Sequence, residues 1–597
     1  MEKSSVVKVG AIILLVAALV IWMPGQAGFG ARVGGNMTLN AISYNPAPAA
    51  WEHAPLSSAG LIGLTHASPA LLSSGSFVRP SAQINPTSSI ASNAVRFIDD
   101  SSYIAQSETS VFVDPSNTEH VVGTFNDGRW FFCPALTTAD CPSGFQISIS
   151  GFSVSTDGGS TVLKTGDLPG LLYASSTNKN FIGFLVSWGD PSVAATVDGN
   201  FYYATLAIDP VTGNNGIELS KSNGNLFDST HSCASPNTAP WTNSCWSSTL
   251  VFGNLSGMVN RGKATHVPTS FEDKELIAVD RDASSSFYGD VYISWDHFFE
   301  AGTSATYAAR CTPSLSCTML SGGSLPVISG TDPFVAFSTP TVGSDGSVFV
   351  SWCNYGTATT LGPVSCRITA SGAGGASFGA IHTILSFEGA GTTFPSDNGL
   401  VGFATEQFRT GSVPVVAADT SGGSSNVYFT IAVCSAGNYY AFNNPALPGN
   451  CGDSSVLFSS SGDGGATWSS AQTVSPSAVN FQPWVTVDPT NGHVVVTYYT
   501  TEFDAFNHRA DVVASVSTDQ GQTFTTSRLT NVSDEPNADP VLFDYFTQFG
   551  GAFVVPQFGD YQQASAVGGT IYDLFSGNYA EELGTFQTDP FLVTGSD

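Results

Sequence analysis

Residues 461–468 read SGDGGATW, and the same spacing returns at 155–161 as STDGGST and at 517–524 as STDQGQTF. Each copy is Ser-x-Asp-x-Gly-x-Thr, built on Ser155, Asp157 and Gly159, on Ser461, Asp463 and Gly465, and on Ser517, Asp519 and Gly521. Trp468 and Phe524 follow the last two copies. The residue types suit a tight bend: the Asp carboxylate accepts from backbone N–H groups of the turn, Gly tolerates positive φ, and the terminal aromatic can pack into the seam beside its sheet. Weaker versions stand at Ser220, Ser222, Gly224 and Phe227 and at Ser371, Gly375, Ser377 and Phe378, with Ser222 and Ala373 in the Asp position. A loop between Cys311 and Cys317 holds a sixth place.

Between these bends a second theme recurs: a short apolar strand, a turn on Asp with Gly or Pro, then a strand rich in Val, Tyr, Phe and Trp. The copies are SVFVDPSNTEHVVGTF, SVAATVDGNFYYATLA, LIAVDRDASSSFYGDVYISW, PTVGSDGSVFVSW, VPVVAADTSGGSSNVYFTIAV, WVTVDPTNGHVVVTYY and, more loosely, ASAVGGTIYDLF. Their turn residues, from Asp114 to Gly568, recur roughly every 75 residues, a repeat period that argues for a radial or stacked array. β-Branched and aromatic flanks suit half-buried pleated strands.

The bends resemble the Asp-box, or BNR, repeats of the sialidase-like β-propellers over roughly residues 100–597. QSETSVFVDP, DKELIAVD, FQPWVTVDP and FGDYQ are further similar to secreted BNR-repeat proteins of exo-α-sialidase type. The resemblance implies an all-β propeller of four-stranded blades. Sialidases have six, whereas seven inner hairpins are present here, so seven blades are expected with six as the alternative. LGTFQTDPFLV (583–593), with a strand from the N-terminal lead-in, would complete the last sheet. Radial closure protects sheet edges and buries each repeat against the next.

Composition sets the partners. Lys plus Arg number 18 and Asp plus Glu 47, a formal charge of −29, and the pI is near 4.3. Nucleic acid is thereby excluded as a partner, because phosphate binding needs clustered cations. With 42% hydrophobic and only 11% charged residues the chain has a core to bury. Residues 1–27 carry Lys3 and Lys8, an apolar run from Val9 to Met23 and a small-residue exit to Ala27. That is an export-signal layout, or an N-terminal anchor if retained, which would be the only membrane contact. Residues 28–100 form a Ser/Ala/Pro-rich lead-in, and 101–597 the propeller. Ten cysteines fall into neighbouring pairs, Cys133/Cys141, Cys233/Cys245, Cys311/Cys317, Cys353/Cys366 and Cys434/Cys451, as in exported disulfide-bonded proteins. Sequons at Asn36, Asn254 and Asn531 fit the same secreted or cell-surface location.

In a propeller, the starts of inner strands and the ends of second strands converge on one face around a funnel. The ligand candidates there are Glu108, Arg129, Asp190, Glu275, Asp296, His297, Arg409, Gln482 and Asp560. Asp273, Lys274, Asn354, Tyr355 and Asp504 lie near them in the pattern. Several of these would serve only to cap strand ends. A mouth this acidic favours cations or hydroxyl-rich sugars over anions.

Sialidase chemistry, implied by the resemblance, needs three arginines on a carboxylate, a Tyr nucleophile with a Glu beside it, and an Asp acid/base. Arg129, Arg409 and Arg509 would be the arginines, Tyr561 or Tyr499 the nucleophile and Glu502 or Glu275 its partner, with Asp127 a further catalytic candidate. The family's Phe-Arg-Ile-Pro motif has only an echo in Phe77-Val78-Arg79-Pro80. The alternative chemistry is a glycosidase using paired carboxylates such as Asp127 and Asp296. GASFG (375–379) fits a nucleophile-elbow pattern but sits inside a hairpin bend. The nine histidines form no zinc motif, so no metal ligand set is assigned and no cofactor is required. Calcium could be held by Asp and backbone carbonyls at the funnel or in the Asp-Gly turns, without EF-hand spacing. The expected function is recognition of a glycan or other extracellular polymer at the funnel, without sialidase chemistry, against a divergent glycoside hydrolase. The oligomeric state is left open.

Overall fold

The computed structural model describes residues 92–98, 106–127, 148–174, 182–208, 215–233, 243–253, 270–299, 302–321, 327–357, 360–387, 413–434, 454–506, 509–534, 558–582 and 585–597. The candidate export signal, most of the lead-in, Arg129, Arg409, and Cys133, Cys141 and Cys451 lie outside them. The described residues contain strands and turns and no helix, and no helix among them is long and apolar enough to cross a membrane.

Seven four-stranded antiparallel blades make a β-propeller. Their innermost strands, numbered here as blades 1 to 7, are Gln106–Val113, Ser192–Ala195, Ser270–Val279, Val335–Val342, Val415–Ala418, Asn480–Val487 and Gln563–Val567. Blade 7 takes its outermost strand from near the start of the described residues: Val95–Arg96 pairs with Thr585–Ser596 at Leu592 and Phe591. Arg96 Nε reaches Asp589 Oδ2 at 2.6 Å, and Thr109 of blade 1 donates to the Leu574 carbonyl of blade 7 at 2.6 Å. The first and last of the described strands therefore share one blade and close the ring. Blade 2 also carries a hairpin, Leu171–Ala174 with Ile182–Ser187, joined to its second strand at Val186 and Ser187.

Each blade is sandwiched between two others, which decides its burial pattern. Second strands such as Val121–Asp127, Phe201–Ile208 and Val494–Thr500 are buried along their whole length, because both faces of the sheet are covered. The outermost Thr525–Arg528 is exposed throughout. Core clusters fill the spaces between neighbouring sheets, one of them running from Phe349 and Ile368 of blade 4 through Tyr428 and Phe458 of blade 5 to Val494 and Tyr498 of blade 6.

The Ser-x-Asp-x-Gly-x-Thr bends are closed by hydrogen bonds that repeat from copy to copy. In blade 5, Ser461 donates to Asp463 Oδ1 at 2.8 Å and accepts from the Gly465 N–H at 2.8 Å. The Thr467 N–H and hydroxyl donate to the two oxygens of Asp463 at 2.8 and 2.6 Å. These donors hold Asp463 and Asp519 near pKa 2, below the usual carboxylate range, the Thr467 and Thr523 hydroxyls contributing most. The glycine also presses the bend against the preceding blade. A Cβ on Gly521, at φ +82°, would lie 2.5 Å from the Phe458 ring of blade 5, and Phe524 packs edge-on to that ring at 4.8 Å. Gly464 has a similar φ of +69° but open space around it. Gly464→Ala is therefore expected to cost only the backbone strain of about 1–2 kcal/mol, and Gly521→Ala about 1–3 kcal/mol more from overpacking. Chemical denaturation of the two variants side by side checks the difference. Equal losses would mean that the seam does not depend on this contact.

Disulfides join Cys233 to Cys245, Cys311 to Cys317 and Cys353 to Cys366. Of the other two expected pairs, Cys133, Cys141 and Cys451 fall outside the described residues. On one face the strands are linked by short turns, at 114–120, 196–200, 280–290, 343–347, 419–426, 488–493 and 568–569. The strand ends that flank 128–149, 254–269, 388–414, 435–453 and 529–562 lie on the opposite face, and these intervals are much longer. Long connections on a rigid scaffold are where binding residues concentrate.

Candidate functional site

On the face with the long connections the innermost strands share one distortion. The pairing register slips between Ser107 and Ser110, Asp273 and Leu276, Ala336 and Thr339, and Phe481 and Trp484. At these slips Glu108, Lys274, Phe337 and Gln482 take φ of 53°, 62°, 57° and 49°, and Asp190, just ahead of the blade 2 strand, takes 55°. Gly559, at 96°, does the same in blade 7. A left-handed conformation costs a non-glycine residue roughly 1–2 kcal/mol, and strain of this kind gathers where side chains are aimed for a purpose.

Here the bulges carry polar groups into the axis, where blades that are not neighbours touch. Lys274 Nζ of blade 3 bonds Asp560 Oδ2 of blade 7 at 2.9 Å, both almost fully buried, and lies 4.1 Å from the centre of the Phe337 ring. Tyr561 of blade 7 donates to the Pro191 carbonyl beside blade 2 at 2.8 Å. Gln482 donates to the Gly559 carbonyl. Glu108 accepts from Asn126 Nδ2 at 2.6 Å and from the Asp560 N–H at 3.2 Å, and Asn126 in turn accepts from the Asp190 N–H at 2.9 Å. Asp127 is buried next to Gln106, whose amide reaches Oδ1 at 3.4 Å.

The electrostatics follow from the burial. Glu108, Asp190, Asp273, Glu275, Asp296 and Asp560 are at most 1% exposed. Loss of water, then the charges of Glu108, Asp273 and Glu275, push Asp190 far above the usual carboxylate range. Loss of water is also the main cause for Glu275, with Asp273 and Glu108 adding to it. Asp296 is pushed up to about 8 by burial, against the N–H of Phe337, which donates to its Oδ2, and against Lys274.

The other candidates are placed elsewhere. His297 belongs to a clamp inside blade 3: its Nδ1 lies 2.8 Å from Glu272 Oε1, Trp295 donates to Glu272 Oε2 at 2.7 Å, and the imidazole stacks on Tyr307 at 4.4 Å. Tyr499 lies between blades 6 and 7, stacked on Phe481 at 4.7 Å and donating to the Ser576 carbonyl at 2.9 Å. Burial drives the hydroxyls of Tyr499 and Tyr561 well above their ordinary range, helped by Asp573 and Asp534 for the first and by Asp190, Glu108 and Glu275 for the second. That is the wrong direction for a nucleophile. Glu502 is exposed on the 501–510 connection, together with Arg509, whose backbone N–H donates to Asp504 Oδ2 at 3.1 Å.

Two aromatic residues were not among the candidates. Phe503 and Phe506, on that connection, are 43% and 74% exposed. Arg528 lies over the Phe503 ring at 4.5 Å while its guanidinium holds Asp511 Oδ1 at 2.6 Å. Thr500 pairs with Asn480, so this connection leaves from the same face as the axial bulges. The run Glu502-Phe-Asp-Ala-Phe506, with apolar rings amid charges between two strands, is the sequence signal that could have found them.

No family model matches the chain, and no curated protein matches it significantly. Among solved structures it is similar to the α-L-arabinofuranosidase Arb93A of Fusarium graminearum, with 10% identity, 68% of this chain and 92% of that one covered, and a TM-score of 0.37. The Hadza microbial sialidase Hz136 gives 12%, 74% and 73%, and 0.36. The phage phi92 endosialidase gives 9%, 85% and 69%, and 0.38. A likeness this distant carries no argument about ligand or activity.

Proposed function

We propose that this chain is an exported or cell-surface propeller that binds glycans or other hydroxyl-rich extracellular polymers on the face with the long connections, without sialidase chemistry. The observation that carries the reading is the pair Phe503 and Phe506, exposed on that face among Glu502, Asp504, Arg509 and Arg528. An exposed aromatic ring gives the apolar face of a sugar a surface to stack on, and flanking carboxylates and guanidinium groups bond its hydroxyls. Disulfides in the blades favour an oxidising compartment. Against sialidase chemistry stand the two tyrosines, each buried and tied to a backbone carbonyl.

The glycosidase alternative has one observation in its favour. Asp296, held up to about 8, would be protonated at neutral pH as a general acid must be. It is also fully buried, with one oxygen committed to the Phe337 N–H.

Purified protein on sialylated and neutral oligosaccharide arrays, with retention and hydrolysis read together, separates the readings. Retention without turnover is expected, falling about tenfold for each of Phe503→Ala and Phe506→Ala, since one lost stacking contact is worth roughly 1.4 kcal/mol. Retention unchanged in the double variant would remove the rings from the site. Hydrolysis that survives Tyr561→Phe and is lost in Asp296→Asn would establish the glycosidase.

A further inference from the structure

Among the described residues around the axis, several buried hydrogen-bond acceptors have no donor. Among the described residues, none donates a hydrogen bond to either carboxylate oxygen of Asp190 or of Glu275, although both side chains are completely buried. The same holds for Asp296 Oδ1, Gln482 Oε1 and Ser338 Oγ, which sit at or beside the corresponding bulges of blades 3, 6 and 4. The donors among the described residues that reach the axis are already engaged. The Lys274 ammonium is on Asp560, the Asn126 amide on Glu108, the Gln482 amide on the Gly559 carbonyl and the Tyr561 hydroxyl on the Pro191 carbonyl. The charges of Glu108, Asp273 and Glu275 act on Asp190, and those of Glu108 and Asp273 act on Glu275 as well. A buried carboxylate without a partner is among the costliest features a protein can carry, and a set of oxygens without donors calls for a cation.

We propose that Asp190 and Glu275 bind a divalent cation, Ca²⁺ by preference, on the propeller axis, with water completing its shell toward the oxygens of Gln482, Ser338 and Asp296. Calcium accepts six to eight oxygen ligands, mixing carboxylates with carbonyls and water, and tolerates irregular geometry, whereas Mg²⁺ demands a tight octahedron. Among the described residues no three acidic or histidine side chains form a ready metal cluster. The ion is therefore shared between two carboxylates and neutral oxygens rather than caged by carboxylates alone. Such an ion ties blade 2 to blade 3 just where Lys274 ties blade 3 to blade 7. The inference is independent of glycan binding, since the phenylalanines lie on an outer connection.

The experiment uses the full exported chain, stripped with a chelator and then exchanged into chelator-free buffer at about pH 7.5. Calorimetric titration with Ca²⁺ is expected to show one ion per chain, and Tb³⁺ bound in its place to emit on excitation of Tyr561 and the neighbouring aromatics. Saturating Ca²⁺ raises the unfolding temperature by several degrees, as any ligand bound only by the folded state must, and Mg²⁺ raises it less. Asp190→Asn and Glu275→Gln each weaken Ca²⁺ binding at least tenfold, while Glu119→Gln, exposed on the opposite face, leaves it unchanged. If either axial variant fails to fold, the stoichiometry and Tb³⁺ emission of the parent protein still decide. No heat, no emission and an unfolding temperature indifferent to Ca²⁺ would overturn the proposal and leave protons as the neutralising species. Binding that persists in both axial variants would overturn the assignment of the ligands.

Discussion

Lys274→Met is expected to lower the stability of the protein, measured in chelator, by about 3–5 kcal/mol, the scale for breaking a buried ion pair from one side. Its ammonium is 3% exposed, 2.9 Å from an equally buried carboxylate of Asp560. The methionine keeps most of the side-chain volume and the contact with Phe337, so packing changes little and the charge is what is lost. What remains is Asp560 without its cation, next to Glu108, and Asp190, Glu275 and Asp296 without the positive charge that moderates them. Asp560→Asn in the same chain should restore a large part of the loss, because it removes the stranded charge; the coupling between the two substitutions isolates the pair. Urea denaturation in chelator, comparing midpoints at unchanged slope, measures it. A loss under about 1 kcal/mol would mean that the bridge is as weak as a surface pair and that the axis is screened by solvent.

What could be read from residue order and what could not divides along a physical line. The bends at Asp157, Asp463 and Asp519 were legible because their geometry is local: Ser, Asp, Gly and Thr within seven positions make the closing hydrogen bonds themselves. The seven hairpins were legible for the same reason, and with them the blade count. The axis was only partly legible. The candidates Glu108, Asp190, Glu275, Gln482 and Asp560 do meet there, but the left-handed bulges that bring them together depend on register between strands, which no short window encodes. Tyr499 and Tyr561 read alike as aromatics near strand ends. Only packing shows that one faces the seam between blades 6 and 7 and the other the axis, each with its hydroxyl engaged. The Leu171–Ala174 and Ile182–Ser187 hairpin was missed because blade 2 already had its inner strand in SVAATV. The apolar run IGFLVSW was the available signal.

The pH dependence of stability should have the sign of an acid-adapted core. Glu218 is raised to about 7 chiefly by burial, though Ser187 and Ser220 bond its oxygens at 2.9 and 3.3 Å. Asp573 is likewise raised to about 7 by burial, and Asp296 to about 8. For each, the folded state holds its proton more tightly than the unfolded chain, whose carboxyls titrate near 4. Their contribution is complete below about pH 4 and is lost as the pH rises through the folded values of 7 to 8, so stability falls with rising pH across this window. Each pKa unit is worth about 1.4 kcal/mol, and the three shifts together span about ten units, so these carboxyls weaken the fold by at most about 14 kcal/mol between pH 4 and pH 9. Asp463 and Asp519, held near 2 by their turns, act in the opposite sense, but only as the pH falls from about 4 toward 2. The formal charge of −29 adds self-repulsion at neutral pH that fades toward the pI near 4.3, reinforcing the same trend. In chelator, so that no cation competes with protons at the axis, the unfolding temperature is expected to peak at about pH 4–5 and to drop by more than about 10 °C by pH 9. Glu218→Gln and Asp573→Asn, which keep the shape and cannot ionise, should flatten the descent at its alkaline end. An unfolding temperature that climbs from pH 5 to pH 9 would require these carboxylates to be ionised and partnered in the folded protein, which is incompatible with the burial seen in blades 2, 3 and 7.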